Sequence, residues 1–266
     1  MAKPNFTLAI RRSNLKDMHV RTAEFALLLV ATAGIMYCAK LLRALHQRVS
    51  KNNSQTQESI KELKEQIWHS YRQSEALQQL FTLLKFSAPI PPTRSWAASP
   101  DLLLTIADLV RTRKPRLVVE LGSGISTLIV AKAGVRKVIS IDNSAEFAEK
   151  TREMLKAHRV RGVEVRVAPL KAHKSGVDWY DTAKLKDLKR IDMLIIDGPP
   201  GSKNPDARKP ALAELLSKLS PNAVIVIDDV KRDGERQLAE AFAKALPRHT
   251  LNILNHEKGT AVIAPK

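Results

Sequence analysis

Residues 116–143 read RLVVELGSGISTLIVAKAGVRKVISIDN. An apolar, β-branched run, Arg116–Glu120, breaks on Gly122-Ser123-Gly124 and gives way to a helix from about Ser126 to Ala133. A second apolar run, Lys137–Ile141, then ends on Asp142. Glycines let a chain turn sharply from strand to helix and let its backbone approach a ligand closely. The helix start offers free N–H groups to a carboxylate or phosphate. An acid at the tip of the second strand, about 20 residues after the turn, can accept both hydroxyls of a ribose. Together the turn, the helix and Asp142 predict a nucleoside-type ligand.

The same alternation continues outward. Helix 100–112 precedes the first strand, with Ser99 as N-cap, Pro100 at the first helical position and Asp101 in the first turn. After Asp142 come helix Ala145–His158, strand Val163–Val167, a loop region and strand Asp192–Ile196. Helix Lys209–Leu219, strand Ala223–Ile227 and helix Gly234–Ala245 follow. The end reads as two strands, Thr250–Leu254 and Thr260–Ala264, around the turn His256–Gly259. Apolar strands alternating with amphipathic helices predict an α/β, Rossmann-like domain with a mostly parallel seven-stranded sheet and a C-terminal antiparallel hairpin.

Two further strands end in acids on the side of the sheet where such folds bind ligands. Residues 191–201, IDMLIIDGPPG, place Asp197 at a strand tip; residues 223–230, AVIVIDDV, place Asp228 and Asp229 at another. Gathering three carboxylates is costly without a cation or protons, and oxygen-rich clusters suit Mg²⁺.

Glu120-Leu-Gly122-Ser-Gly124 resembles the first motif of class I S-adenosylmethionine-dependent methyltransferases: an acid, any residue, then a Gly-x-Gly turn. The closing hairpin is similar to theirs and separates them from plain NAD-binding folds. The resemblance covers about residues 88–266. It implies that Glu120 orients the cofactor's amino end and that Gly122, Ser123 and Gly124 line its methionine moiety. It also implies that Ser126 or Thr127 receives the carboxylate, that Asp142 with Asn143 holds the ribose, and that Pro169 and Leu170 contact the adenine. Ser126 stands where many members have a third glycine, as in O-methyltransferase-like groups.

The strand-end acids resemble the divalent-metal site of catechol- and caffeoyl-type O-methyltransferases. Asp197 and Asp228 match that pattern, Asp229 replaces an Asn, and the Gly198-Pro199-Pro200-Gly201 turn departs from it. With Mg²⁺ on Asp197, Asp228 and Asp229, the ion would bind a substrate hydroxyl and lower its pKa. Without one, Asp197 or His173 in the loop after the third strand would take the proton. Trp96 and Trp179-Tyr180-Asp181 either wall an acceptor pocket or pack. The activity that the resemblance implies is methylation of an oxygen on a small-molecule or lipid-linked acceptor. The alternatives are an NAD-dependent oxidoreductase and a non-catalytic scaffold. Nucleic acid is not the expected acceptor, because no aromatic follows Asp197-Gly198-Pro199-Pro200.

The 266-residue chain carries a net charge of +17, a balance that favours anionic surfaces. Residues 1–51 hold nine of its basic and two of its acidic residues. Within them Phe25–Ala39 lacks any charge, and with Leu41 and Leu42 it nears the length that crosses a hydrocarbon core of ~30 Å if Lys40 snorkels. The expected organisation is a basic tail (1–22), a membrane helix (23–45), a helical linker (46–86) and the catalytic domain (87–266). Basic residues flank the apolar run on both sides, so charge does not orient it. A methyltransferase draws on the cytosolic cofactor pool, which places the catalytic domain in the cytoplasm. The single cysteine, Cys38, excludes an internal disulfide and a cysteine-rich zinc site. In the linker Ile60, Leu63, Ile67, Leu77, Phe81 and Leu84 fall at a/d spacing, interrupted by Ser70 and Ser74. Residues 50–86 therefore either pair two copies of the chain as a coiled coil or lie as one helix on the domain. A proline-rich connector, residues 87–96, follows.

Overall fold

A computed structural model describes residues 6–201 and 204–266, with side chains from Met18 onward in the first helix. Much of the expected basic tail therefore lies outside the described side chains. Helix α1 spans Phe6–Leu83, and the chain divides into two compact units, one ending at Ile67 and the other spanning Trp68–Lys266. In the first unit every side chain from Met18 to Ile67 is exposed. These include the apolar run, with Leu27 76% and Val30 72% exposed. The helix is long and apolar enough to cross a membrane, with none of its apolar window buried.

The second unit begins before residue 87 because the end of α1 packs on the domain. Its buried stripe is Gln73, Ala76 and Leu80, continued just past the helix by Leu84, while Phe81 is exposed and Leu77 half-buried. Of the a/d seam expected through Leu77, Phe81 and Leu84, only Leu84 lies on the packed face. Asp101 fastens this junction: its Oδ2 accepts from Gln73 Nε2 at 2.7 Å and from the Glu257 backbone N–H at 2.9 Å.

Helix α2 (Pro100–Arg113) starts at Ser99 as expected. Then follow β1 (Leu117–Leu121), α3 (Ile125–Lys132), β2 (Lys137–Asp142), α4 (Ala145–Ala157) and β3 (Val163–Val167). A short hairpin, β4 (Leu170–Ala172) and β5 (Asp178–Tyr180), occupies the region expected to be loop. The series continues with β6 (Ile191–Ile196), α5 (Pro210–Leu215), β7 (Leu219–Asp228), α6 (Asp233–Ala245), β8 (His249–Leu254) and β9 (Thr260–Pro265). Helix α5 is shorter than expected and β7 longer, because the chain is already extended at Leu219.

The seven-stranded sheet runs β3-β2-β1-β6-β7-β9-β8. The first five strands are parallel, and β9 joins β7 and β8 antiparallel. Alternation along the strands feeds two cores. Val119, Leu121, Leu194 and Ile227 face one, with Phe242 of α6. Val118, Met193, Ile195 and Val226 face the other, with Ile106 of α2 and Ile129 of α3. Because β1 is the centre of the parallel set, its C-terminal tip lies between the tips of β2 and β6.

Candidate functional site

The turn after β1 is built on a glycine that no other residue could replace easily. Gly122 has φ +94°, and a Cβ there would lie 2.7 Å from the Asp197 carbonyl oxygen at the tip of β6. The backbone N–H of Gly122 donates to the Ile141 carbonyl at 2.8 Å, so the turn is seated between β2 and β6. At Gly124 nothing lies within 4 Å of where a Cβ would stand. The Cα face there is open.

Asp142 braces this turn. Its Oδ2 accepts from the backbone N–H and the hydroxyl of Ser123, at 3.0 and 2.6 Å. Its Oδ1 accepts from the Ser144 N–H at 2.8 Å. A carboxylate has roughly four acceptor positions, so one remains for a ligand, and a second is released if Ser123 turns its hydroxyl to Thr151, 3.0 Å away.

Glu120 sits beneath the turn. It is fully buried, opposite Ser140 on β2, and its Oε2 accepts from the hydroxyls of Thr127 and Ser140. Its Oε1 has no hydrogen-bond partner. Burial pushes its carboxyl up to about 7, against the lowering effect of the surrounding hydroxyls. The side chain ties β1, β2 and α3 together rather than lining the cavity. Thr127 is likewise committed to Glu120 and to the Gly124 N–H, at 3.1 Å from the latter. Of the two residues expected at the cofactor's carboxylate, Ser126 is the one on the cavity wall.

That cavity has a volume of about 570 Å³ and is lined by the turn Gly122–Ser126, by α4 from Phe147 to Ala157, and by Asp197. Its far wall is the connector, Pro89 to Pro92 with Trp96. His158 at the end of α4 holds this segment, its Nδ1 accepting from the Ser87 N–H at 3.3 Å. Trp96, 81% exposed, stands at the cavity, whereas Trp179 and Tyr180 are buried in the core. The Tyr180 hydroxyl nevertheless reaches the underside of Gly198. Asn143 is half-buried just past β2, and Pro169 and Leu170 are exposed beyond β3; none of the three lines this cavity.

His173 is not brought to the site. Hairpin β4–β5 carries it to a separate groove, where its Nε2 lies 3.1 Å from Glu214 Oε1. That pair pins the turn after β4 away from the cavity beside Gly124, which removes His173 as a proton acceptor there.

Asp197, Asp228 and Asp229 do come together, with ligand oxygens all within 4.8 Å of one another. Asp229 adopts φ +64°, a left-handed conformation that aspartate tolerates better than most residues. Parallel pairing of β6 with β7 brings the two tips side by side, and register of Asp228 with Thr260 on β9 places Lys258 nearby. The cluster already contains its cations. Arg208, nearly fully buried, puts Nη2 at 2.9 Å from Asp229 Oδ2 and 3.3 Å from Asp197 Oδ1. Its Nη1 donates to the Asp228 carbonyl and its Nε to that of Pro199. Arg232 pairs with Asp229 at 3.0 Å, and Lys258 approaches Asp228 Oδ2 at 3.4 Å. Glu235, buried on α6, completes a set of four acids and three bases.

Burial first and Asp228 second push the Asp197 carboxyl up to about 8. Burial raises Asp228 and Glu235 in the same direction. A divalent ion among these carboxylates would meet Arg208 inside the ligand set, a repulsion of roughly 4 kcal/mol per unit charge at ~4 Å in an effective dielectric of ~20. The donor set therefore does not fit the expected Mg²⁺; Arg208 and Lys258 stand in its place. Neither was singled out from the sequence, because both reach the cluster from distant loops. The only local signal is Arg208's position in a loop between two acid-tipped strands.

A family model described as a methyltransferase domain matches residues 119–230. Among solved structures, an S-adenosylhomocysteine-bound methyltransferase of Podospora anserina is 20% identical, covering 73% of this chain and 87% of its own, with a TM-score of 0.50. An O-methyltransferase of Bacillus cereus, also in complex with S-adenosylhomocysteine, is 20% identical over 73% of this chain and 90% of its own, again with a TM-score of 0.50. At such identity the likeness is one of fold. No curated protein matches the chain. Residues 119–230 are thus matched as a methyltransferase domain, on a fold that the chain shares with solved methyltransferases.

Proposed function

We propose that this protein transfers a methyl group from S-adenosylmethionine to an oxygen of a small-molecule or lipid-linked acceptor. One observation carries the reading: the open Cα face of Gly124, Ser126 and Asp197 all border a single cavity, and Ser123 on the same wall bonds to a carboxylate, Asp142, with acceptor capacity to spare. The cradle fits the cofactor, with Asp142 for the ribose and Ser126 for the carboxylate. When bound, S-adenosylmethionine supplies an electrophilic methyl on a positively charged sulfur.

The chain's own residues supply the rest. Asp197, on the cavity wall with its carboxyl pushed up to about 8, takes the proton of the acceptor hydroxyl; a base works best when its pKa lies near the working pH. Arg208 fixes the orientation of that carboxylate through Nη2. Trp96 and Pro89–Pro92 exclude water from one side. No step needs a metal ion.

Residues 23–45 are proposed to span a membrane, with the catalytic domain on the cytoplasmic side, where the methyl donor is made. Residues 50–67, exposed in the single chain, remain the segment through which two copies would pair.

Calorimetry on the full chain in detergent tests the cofactor assignment. Binding of S-adenosylmethionine and S-adenosylhomocysteine, but not NADH, is expected; binding of NADH alone would overturn the proposal. Transfer of labelled methyl from the donor into membrane or cytosolic extracts then reads out the acceptor, and cofactor binding without any transfer would favour a scaffold. Removal of residues 1–45 is expected to shift the protein from the membrane to the soluble fraction.

A further inference from the structure

At the opposite end of the sheet the strands begin in a basic groove of about 840 Å³. Arg113, Lys114 and Arg116 enter it from the turn between α2 and β1, Lys137 from the start of β2, Lys189 and Arg190 from the segment before β6, and Lys266 from beyond β9. All seven side chains are exposed. None of them forms a salt bridge among the described residues. Some exposed cations elsewhere on the domain pair with carboxylates, as Lys150 does with Glu146 and Lys171 with Asp181, and others such as Arg161 and Arg248 do not; what sets these seven apart is that they share one concavity.

The single acid lining the groove, Asp192, offsets only one of the seven charges. Its Oδ2 accepts from the backbone N–H groups of Arg116 and Leu117, at 3.0 and 3.3 Å. Those bonds hold the starts of β1 and β6 together. Seven like charges around one concavity repel one another and focus a positive potential into it, which an anionic partner relieves.

We infer that this groove binds the anionic phosphate headgroups of a lipid surface. Phosphate oxygens match an array of lysine and arginine donors, and basic clusters on membrane-tethered chains are held by acidic lipids. The membrane source rests on the reading of residues 23–45 as a span, which would tether the domain to a lipid surface. The cavity beside Gly124 lies at the other end of the strands, about 17 Å away for a five-residue strand such as β1. Headgroups in the groove therefore leave the candidate site unobstructed.

Lysine-reactivity footprinting of the full chain in nanodiscs tests this. Discs of phosphatidylcholine alone are compared with discs that also contain phosphatidylglycerol. Lys114, Lys137, Lys189 and Lys266 are expected to lose about fivefold in reactivity in the anionic discs, with the loss reversed by high salt. Lys150 and Lys171, outside the groove, should not change. Equal reactivity in both discs overturns the proposal. So does protection by pyrophosphate or by a DNA duplex in phosphatidylcholine discs without protection by phosphatidylglycerol. A chain carrying Arg116→Glu, Lys137→Glu and Lys189→Glu, all at exposed positions, is expected to show no protection at Lys114 and Lys266. Entry into neutral discs reports on the span separately. A chain that fails to enter is footprinted with phosphatidylglycerol vesicles instead, where the same protection supports the groove and its absence overturns it.

Discussion

The hydroxyl of Ser123 lies 2.6 Å from Oδ2 of Asp142, joining the glycine turn to the tip of the second strand. One carboxylate thus both shapes the loop and presents the acceptor meant for the ribose. Asp142→Asn keeps the size and removes the charge that strengthens these bonds. Hydrogen bonds to charged groups contribute roughly 1.5–3 kcal/mol, so affinity for S-adenosylmethionine should fall between about tenfold and a hundredfold. Calorimetry reads this directly, and an unchanged affinity would remove Asp142 from the cofactor site.

The two glycines of the turn should respond differently. Gly122→Ala meets the Asp197 carbonyl at 2.7 Å and a left-handed φ, and it should lower stability by about 1–3 kcal/mol, as strained backbone positions do. Gly124→Ala meets nothing within 4 Å. It should melt with the wild type while losing affinity for the cofactor, because the new methyl occupies the ligand's side. Thermal unfolding and calorimetry on the two variants separate a folding glycine from a binding one.

Arg208 neutralises acids that water scarcely reaches. Removing one partner of a buried ion pair costs about 3–5 kcal/mol, so Arg208→Ala should shift the urea midpoint strongly downward. Arg208→Lys, with no fork to span Asp197 and Asp229 together, should recover only part of the loss. Because Arg208 takes the place of a metal, chelator should leave methyl transfer by the wild type unchanged; activity restored only by Mg²⁺ would reverse that assignment.

Glu120 makes stability depend on pH. Its carboxyl rises from 4.5 in the ordinary state to about 7 in the fold, so the folded chain binds a proton that the unfolded chain releases between those values. The contribution is fully present below pH 4.5 and is lost as pH rises through about 7. The full swing is on the order of 3 kcal/mol for a shift of this size. Glu120→Gln retains an oxygen for Thr127 and Ser140 and cannot ionise. Urea unfolding at acidic and mildly alkaline pH should show the variant gaining on the wild type as pH rises.

Local order made the first half of the site legible. Gly122, Gly124 and Asp142 belong to one β-α-β unit, and their spacing alone predicts where they meet. The fold was legible for the same reason, since alternating apolar runs and helices leave few arrangements. Long-range neutralisation was not. Asp197, Asp228 and Asp229 suggested a metal because the sequence shows the charges that must be balanced and not the ones that balance them. Arg208 and Lys258 arrive from a loop before α5 and from the β8–β9 turn. His173 misled because a short hairpin, invisible in a three-residue strand pattern, carries it to Glu214. In α1 the heptad reading weighted large apolar residues and reached Leu84 just beyond the helix, whereas the helix itself buries small Ala76 and polar Gln73 alongside Leu80.

The far wall of the cavity has a bearing on how tightly any occupant is held. Pro89, Pro91 and Pro92 each fix their own φ near −65°, and His158 secures the chain just before them. Ordering a flexible segment on binding loses roughly 1–2 kcal/mol per residue in backbone entropy. A wall of prolines has surrendered most of that freedom already, on folding. Contacts made against it should then register in affinity almost undiminished, and replacing the three prolines with glycine should weaken binding chiefly through an unfavourable entropy, with little change in enthalpy.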